Sequence, residues 1–397
     1  MDKAMRFLII DDEPDFAEFV GDALDALGYE ADICTDATDI GSVYSSKHAL
    51  ILLDLFMPGL DGIEVLRFLH DNNSHVSLIF MSGKDASVLY SAKELATEWK
   101  FPVLGTLQKP FSIGELDAVL SHFKPPQTDS ARAAAQDFTA EDIDTAIREE
   151  QFTLAYQPQI RLSDHSVCGV EALIRWVRPD KGFTSPGDFI PFAEQHGLID
   201  GINYLVARTA IEQLGRWNRD GHRFTVSINL SPASIADLDL PEKLTALTRH
   251  NGVDTSDVIV EVTETAVMSD AGRYMDILTR LRMKGFGLAI DDFGTGYSSL
   301  QQLVRLPFTE LKIDQTFISH ICEDSECETI ATMATELAHR LGLTVVAEGV
   351  EDQASMDLIK AIGCDELQGF HCARPMPPDQ LQTWLAESGF GTRHGSA

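Results

Sequence analysis

Residues 287–296 read GLAIDDFGTG, a short apolar run that ends in the acidic pair Asp291 and Asp292. Seven other short runs in the C-terminal two-thirds of the chain carry an acid, an amide or a lysine in the same way. They are LAYQPQI with Gln157, VEALIRW with Glu171, VSINLS with Asn229, VIVEVTET with Glu261 and Glu264, TELKIDQ with Lys312, TVVAEGVE with Glu348, and DELQGF with Gln368. A parallel barrel strand has this pattern, because it passes through a packed core and reaches solvent at the catalytic end. The pattern therefore predicts a TIM-like barrel whose polar strand ends share one rim.

Composition and length favour a folded protein of two domains. The chain has 397 residues, more than one ordinary core accommodates, and 44% of them are hydrophobic. Its formal net charge of −31 repels nucleic acid and anionic membranes, so we expect neither DNA nor a membrane as a partner. The six cysteines show no spacing typical of zinc, and no apolar stretch approaches the roughly 20 residues of a membrane span. Reduced thiols and the lack of a cleavable signal predict a cytoplasmic protein.

The order of the elements predicts two different α/β folds in one chain. In residues 1–124, β-like runs such as RFLII and ALILLDL alternate with helical patterns such as FAEFVGDALDALG, which is typical of a doubly wound parallel sheet. Residues 125–137 contain prolines and small polar residues, and we interpret them as a linker. Over residues 138–397 strand runs and helical segments recur regularly, which favours a closed barrel over an open sheet.

Five polar residues lie at strand ends of the first domain: Asp11, Asp12, Asp54, Ser82 and Lys109. Functional groups of parallel α/β sheets collect at the carboxyl ends of the strands. Three carboxylates brought together there repel one another unless a divalent cation such as Mg2+ lies among them, and a lysine beside them suits a phosphoryl group. Each residue alone is more simply an exposed loop charge, but the set favours a phosphoryl-handling site.

These five residues, with DLFMPGLDG around Asp54, resemble the receiver domain of two-component response regulators over residues 5–124. The resemblance implies a flavodoxin-like fold in which Asp54 is the phospho-acceptor. It also implies that Asp11 and Asp12 help to bind Mg2+, and that Ser82 and Lys109 contact the phosphoryl group. A sensor histidine kinase or a phosphotransfer protein is the partner that such a domain implies.

Two details near Lys109 bear on this resemblance. The Lys109–Pro110 pair implies a cis peptide bond, an arrangement that proline makes tolerable. Three residues before the lysine the family usually has an aromatic residue that reorients on phosphorylation, whereas this chain has Thr106. We therefore expect phosphorylation at Asp54 without an aromatic switch.

The acids and amides of the C-terminal runs predict a metal site. Four oxygen ligands come from separate strands, with two further acids beside them: Glu171, Asn229, Glu261 and Asp291, then Asp292 and Glu348. Oxygen ligands without histidine or cysteine favour Mg2+ or Mn2+ over zinc, and so many acids suit two cations about 3.5–4 Å apart. Lys312 then orients the attacking water or stabilises charge on a phosphate. The alternative, acids that cap the following helices, explains Glu264 or Asp314 but not the whole set.

Residues 140–386 resemble the EAL domain, the family of cyclic di-GMP phosphodiesterases. The resemblance rests on Glu171-Ala172-Leu173 followed by Arg175, Asn229-Leu230, Glu261-Val262-Thr263-Glu264, DDFGTG from Asp291, Lys312-Ile313-Asp314, Glu348-Gly349-Val350-Glu351 and Gln368-Gly369. It implies a modified TIM barrel whose first strand, LAYQPQI, runs against the others. It further implies hydrolysis of cyclic di-GMP to pGpG, and assembly into at least a homodimer.

The same resemblance implies a role for each residue of the rim. The metal ligands are Glu171, Asn229, Glu261 and Asp291, with Asp292 on a second ion and Glu348 as a ligand or as the general base. The nucleophilic water is positioned by Lys312 and Gln368, and the substrate is contacted by Gln157 and Arg175. Glu171, Lys312 and Glu348 are then the catalytic residues. A surface ion pair is the alternative for Arg175.

Glu264 and the segment from Asp292 to Ser299 form a separate feature. Gly294 and Gly296 permit a mobile backbone. In the family this loop, steadied by the glutamate, couples dimer contacts to metal binding. An ordinary glycine-rich connection between strand and helix is the alternative.

The sequence favours an enzyme over two other classes of protein. The first hypothesis is a metal-dependent phosphodiesterase whose activity is controlled by phosphorylation of the receiver domain. The second is a cyclic di-GMP receptor that binds without cleaving and signals through protein contacts, and the third is an interaction scaffold. Receptors of this type commonly lack ligating or catalytic residues, whereas this chain keeps them, so we prefer catalysis.

Overall fold

The computed structural model describes residues 6–392 except residues 46, 73, 75, 84, 85, 100, 122, 124–137, 180, 232, 233, 270 and 296–299. The described residues form two compact units, one on each side of residues 124–137. The linker predicted at residues 125–137 lies outside the described residues, and the predicted domain bounds stay predictions. Within the described part of the chain, no helix is long and apolar enough to cross a membrane.

The N-terminal unit is a parallel sheet with helices on both faces. Its strands are β1 Arg6–Ile10, β2 Glu30–Cys34, β3 His48–Asp54, β4 Ser77–Ser82 and β5 Val103–Gln108, in the order β2-β1-β3-β4-β5. Its helices are α1 Pro14–Ala26, α2 Ile40–Val43, α3 Gly62–Asp71, α4 Ala86–Glu98 and α5 Ile113–Leu120. Leu50 and Leu52 of β3 join the core under α1 and α5, while Ile51 and Leu53 join the core under α3 and α4, because side chains alternate along a strand. The predicted flavodoxin-like fold is confirmed.

The C-terminal unit is a closed barrel made of eight of the ten strands of its sheet. The barrel strands are β6 Phe152–Arg161, β7 Ser166–Arg178, β9 Thr225–Asn229, β10 Val258–Thr263, β11 Gly287–Phe293, β12 Glu310–Ile313, β13 Thr344–Glu348 and β14 Glu366–Gln368, and β8 Gly182–Thr184 and β15 Gly391–Thr392 add to β7. Pairing of β7 with β9 closes the circle. Strand β6 is antiparallel to β7 and β14, whereas the other barrel pairs are parallel. The modified TIM barrel with an antiparallel first strand is therefore confirmed.

Helices surround the barrel and supply its outer core. They are α6 Ala140–Arg148, α7 Pro186–Gln195, α8 Ile199–Arg219, α9 Leu240–Asn251, α10 Glu264–Ser269, α11 Ala271–Met283, α12 Leu300–Arg305, α13 Gln315–Ile318, α14 Ser325–Arg340, α15 Gln353–Ile362 and α16 Pro378–Glu387. Their apolar residues recur at helical spacing, as Ala331, Ala334 and Ala338 of α14 do, and these three are buried. This spacing gives each helix one apolar face that covers the strands.

The register of the strands brings the polar residues to one end of the barrel. Glu261 lies opposite Asn229, and Thr263 lies opposite Asp291. Further round, Glu348 lies opposite Gln368 in a parallel pair. Gln157 lies opposite Glu171 in the antiparallel pair of β6 and β7. The polar residues of separate strands therefore meet at one rim.

Candidate active site

Lys312 lies at the centre of four carboxylates at this rim. Its Nζ is 2.7 Å from Glu348 Oε1, 2.9 Å from Glu261 Oε2, 3.3 Å from Asp291 Oδ1 and 3.6 Å from Glu171 Oε2. The side chains of Lys312 and Glu261 are fully buried, and that of Glu348 is 16% exposed. The lysine belongs to β12 and the acids belong to β7, β10, β11 and β13, so five strands converge on one ammonium group. We call these five residues the carboxylate ring.

Amide side chains from β6, β9 and β14 surround Glu171 of the ring. Asn229 Nδ2 donates to Glu171 Oε1 over 2.6 Å, and Gln368 Nε2 donates to Glu171 Oε2 over 2.5 Å. Gln368 Nε2 also donates to Gln157 Oε1 over 3.1 Å, and Gln159 Nε2 donates to Gln368 Oε1 over 3.1 Å. Both oxygens of the Glu171 carboxylate thus accept from amides, which holds the plane of that carboxylate.

Burial and crowding decide the charges in the ring. Burial and the neighbouring acids raise the pKa of Glu348 to about 8, and they raise the pKa of Glu261 well above its usual range. Burial also disfavours the charge on Glu171, but Lys312 and the amide donors outweigh it and lower the pKa of that carboxyl. For Lys312 burial acts against the charge, and the surrounding carboxylates outweigh it and raise the pKa. The ring therefore has a charged lysine among acids that differ in pKa.

The ring and the neighbouring Asp292 also offer oxygens for a cation. Asp291, Asp292 and Glu348 each provide one carboxylate oxygen, and these oxygens lie within 4.8 Å of one another. Burial and the adjacent charge of Asp291 raise the pKa of Asp292 to about 6. Glu261 Oε1 is buried without a hydrogen bond to any described residue. An unpartnered oxygen in an all-oxygen set fits a hard cation such as Mg2+ or Mn2+, so these residues suit the predicted metal.

Glu264 holds the loop that follows β11. Its side chain is buried, and its Oε2 accepts from the backbone nitrogen of Gly294 over 2.8 Å. Gly294 has a φ of +103°, and a Cβ there would lie 2.8 Å from Phe317 Cε2, so this position requires glycine. Asp292 has a φ of 56°, which is uncommon outside glycine. The structure thus brings Glu264 to the start of the predicted loop, and residues 296–299 lie outside the described residues.

Arg175 lies beside the ring on the wall of a cavity. Its Nη1 donates to the carbonyl of Ile174 over 2.9 Å, and burial lowers the pKa of the guanidinium. The cavity has a volume of about 570 Å³, and its lining includes Leu173, Arg175, Ile190, Ile202, Val206 and Asn229. Asn229 therefore belongs both to this cavity and to the rim. A mostly apolar cavity with a few polar groups is typical of a small-molecule site.

A second polar site lies in the N-terminal unit. Lys109 Nζ is 2.6 Å from Asp11 Oδ2 and 2.5 Å from Asp54 Oδ2, and oxygens of Asp11, Asp12 and Asp54 lie within 4.8 Å of one another. Burial raises the pKa of Asp11 in spite of the hydrogen bond from Lys109. Burial acts against the charge of Lys109, but hydrogen bonds to Asp11 and Asp54 outweigh it and raise the pKa. This cluster fits a hard cation such as Mg2+ and an incoming phosphoryl group.

The remaining residues predicted for this site lie next to the cluster. Ser82 is buried at the end of β4, and its carbonyl accepts from the backbone nitrogen of Lys109 over 2.8 Å. The Lys109–Pro110 peptide bond is cis, as predicted. Thr106 is exposed on β5, so the position of the family's aromatic switch has a small polar side chain.

Two buried polar residues inside the barrel were not predicted from the sequence. Gln159 follows Gln157 by two positions on β6, is 1% exposed and donates to Gln368. Glu310 precedes Lys312 by two positions on β12 and is 5% exposed. Burial and the nearby charge of Glu366 raise the pKa of Glu310 to about 8. The signal for both was available, because a residue two positions from a rim residue faces the same side of its strand.

Comparison with known proteins assigns both units. Residues 140–375 match the EAL domain, and residues 7–121 match the response regulator receiver domain. The chain belongs to the EAL domain family and has a receiver domain on the N-terminal side of its barrel.

Similar proteins have been described in Pseudomonas aeruginosa. The bifunctional diguanylate cyclase/cyclic di-GMP phosphodiesterase MucR is 41% identical over 259 residues, which are 65% of this chain and 38% of MucR. The cyclic di-GMP phosphodiesterase RocR is 29% identical over 341 residues, which are 85% of this chain and 87% of RocR. The solved structure of the PaMucR phosphodiesterase in complex with c-di-GMP is 40% identical, with a TM-score of 0.59, and the match covers 61% of this chain and 98% of that chain. The chain thus spans less than half the length of MucR but most of RocR.

Proposed function

We propose that this protein hydrolyses cyclic di-GMP to pGpG in a reaction that requires Mg2+ or Mn2+. The observation that carries the proposal is the set of four carboxylates around Lys312, with the unpartnered Glu261 Oε1 and the adjoining apolar cavity. Oxygens of this kind suit cations that bind phosphate, and the cavity suits a nucleobase. RocR is named as a cyclic di-GMP phosphodiesterase, and the PaMucR phosphodiesterase was solved with c-di-GMP, which supports the same substrate here.

The residues of the rim suit the steps of this hydrolysis. When bound, one or two divalent cations supply the positive charge that stabilises the phosphate and activates water. The residues that would hold them are Glu171, Asn229, Glu261, Asp291 and Asp292, with Glu348 beside them as a further ligand or as the general base. Gln157 and Arg175 contact the substrate, and Gln368 and Lys312 position the water and the phosphate.

Glu348 accepts the proton of the attacking water in this reaction. The oxygen of the attacking water forms a bond to phosphorus, and the bond between phosphorus and one 3′ oxygen breaks. The proton of the water passes to the ionised Glu348, and the leaving 3′ oxygen takes up a proton from solvent. The carboxylate of Glu348 has an oxygen within 4.8 Å of oxygens of Asp291 and Asp292, which would hold a cation, so it lies beside the water that the cation would activate. The hydrogen bond from Lys312 at 2.7 Å holds the carboxylate in place.

Hydrolysis by the purified full chain is the direct test. Incubation with cyclic di-GMP and Mn2+ should produce pGpG, detected by chromatography, and an excess of EDTA should stop the reaction. Tight binding without turnover would instead identify a cyclic di-GMP receptor. The Glu348→Gln variant should bind the dinucleotide and cleave it poorly, which separates loss of catalysis from loss of binding.

The same proposal includes control by phosphorylation of Asp54 with Mg2+ in the receiver site. The hydrogen bond between Lys109 and Asp54 and the three neighbouring acids support it, since an acyl phosphate needs a cation and a lysine beside it. The phosphoryl donor is a sensor histidine kinase or a phosphotransfer protein. Beryllium fluoride, which mimics the acyl phosphate, should change the turnover of the parent and leave that of Asp54→Asn unchanged. The homodimer and the cytoplasmic location stay predictions.

A further inference from the structure

Gln159 lies behind the carboxylate ring, deeper in the barrel than Gln157. It is 1% exposed and lies directly opposite Gly169 in the antiparallel pair of β6 and β7. Its Nε2 donates to Gln368 Oε1 over 3.1 Å, and Gln368 Nε2 in turn donates to Glu171 Oε2 over 2.5 Å. Gln159 thus reaches the ring through a second amide.

The carboxylate of Glu171 decides how the amide of Gln368 is oriented. An ionised carboxylate only accepts hydrogen bonds, so the Nε2 of Gln368 must face Glu171. The Oε1 of Gln368 then faces the barrel interior, where it needs a buried donor. Gln159 Nε2 is that donor. Without it the Oε1 of Gln368 would be a buried acceptor without a partner, which is costly, so the side chain of Gln368 would move towards another donor and its contact with Glu171 would weaken.

Gly169 supplies the space that this arrangement requires. A Cβ on Gly169 would lie 2.4 Å from Gln159 Oε1 and 2.6 Å from Thr225 Oγ1, which is closer than real contacts allow. The φ of Gly169 is not positive, so its backbone conformation does not demand glycine. Glycine is therefore needed at this position because it has no side chain, and not because of its backbone conformation.

We infer that Gln159, in the space left by Gly169, is a positioning residue for the metal-binding carboxylate of Glu171 and acts through Gln368. Asn229 holds one oxygen of that carboxylate and Gln368 holds the other, so a displacement of Gln368 would weaken one of the two supports. The inference rests on the proposed function in assigning a cation to Glu171. The test therefore compares the cation affinities of the parent and of variants at Gln159.

Titration calorimetry with Mn2+ alone tests the inference on the full chain. Gln159→Met removes the donor at nearly constant size, and we expect it to weaken Mn2+ binding about 10-fold, the order found when residues that support metal ligands are removed. In the Gln368→Leu background the same change should alter the affinity less than about twofold, because residues in one network are not additive. Gln382→Leu, on an exposed glutamine, is the matched control.

Each outcome decides the inference. Equal Mn2+ affinity for the parent and Gln159→Met would overturn it, and so would an equal loss in the Gln368→Leu background, which would indicate a general packing role. If Gln159→Met does not fold, Gln159→Leu provides the same comparison. At saturating Mn2+ the variant should recover most of the parent's kcat, which a general packing defect would not allow. A parent that binds Mn2+ but cleaves no cyclic di-GMP would refute the proposed function alone, because the titration uses no dinucleotide.

Discussion

Glu310→Gln should remove a pH dependence from the stability of the barrel. Glu310 is buried, and its Oε1 has no hydrogen-bond partner among the described residues. Burial and the charge of Glu366 raise its pKa from the ordinary 4.5 to about 8. Between these two values the folded chain keeps a proton that the unfolded chain releases, so stability falls as the pH rises through this window. Over the whole window the free energy of unfolding falls by about 5 kcal/mol, and between pH 6 and pH 8 it falls by about 2 kcal/mol.

Urea unfolding at these two pH values measures the effect. Glutamine at this position has no charge to gain, so the stability of the variant minus that of the parent should grow by about 2 kcal/mol from pH 6 to pH 8. Tryptophan fluorescence in a Trp99→Phe background reports on the barrel, because Trp176 and Trp217 belong to its core. EDTA throughout prevents cation binding from adding a second pH dependence.

The matched control for this experiment is Glu336→Gln, a change on the exposed face of α14. It removes one carboxylate without touching the barrel interior, and its stability difference from the parent should be the same at both pH values. A difference for Glu310→Gln that stays constant or shrinks between pH 6 and pH 8 would refute the reasoning, since it would mean that Glu310 is ionised in the folded barrel.

Three further predictions concern the two sites. Asp54→Asn should abolish the phosphoryl adduct that acetyl phosphate forms on the parent, as read by intact-mass spectrometry, and an adduct of equal yield would exclude Asp54. Glu348→Gln should lower kcat for cyclic di-GMP by about 100-fold or more through loss of the base, and an undiminished rate of pGpG formation would rule out that role. Gly294→Ala should destabilise the barrel by about 1–3 kcal/mol, because its Cβ meets Phe317 and its φ is positive. An unchanged urea midpoint for Gly294→Ala would contradict this account.

Much of the barrel could be predicted because its strands carry their chemistry at a recognisable place. Each of the eight apolar runs corresponds to one observed strand, as GLAIDDF does for β11, but Glu171 lies in the middle of β7 and not at its end. The direction of β6 could not be predicted in this way. LAYQPQI has the same alternation whichever way it runs, so its antiparallel course followed from the family resemblance and not from the residues.

Gln159 and Glu310 show why part of the interior was missed. Polar residues inside a barrel strand are uncommon, and they are stable only when partners from distant segments surround them. Gln368, which binds Gln159, is more than 200 residues away in the chain. Glu310 stands at the start of TELKIDQ, where an acid looks like part of the preceding loop. Protonation depends on the same long-range distances, so the contrast between Glu171 and Glu261 could not be predicted from the sequence.

Lys312 has a consequence for the order in which the protein matures. In a zinc finger the ligands need the metal in order to fold, so that folding and metal uptake are a single event. Here the ammonium group of Lys312, which is part of the chain, lies 2.7–3.6 Å from four carboxylates. It balances part of their charge whether or not an ion is bound. The barrel can therefore fold first and load its cations afterwards, and one cation can replace another without unfolding. Under the proposed function, a cell short of divalent metal would hold folded, inactive protein that becomes active when the metal returns.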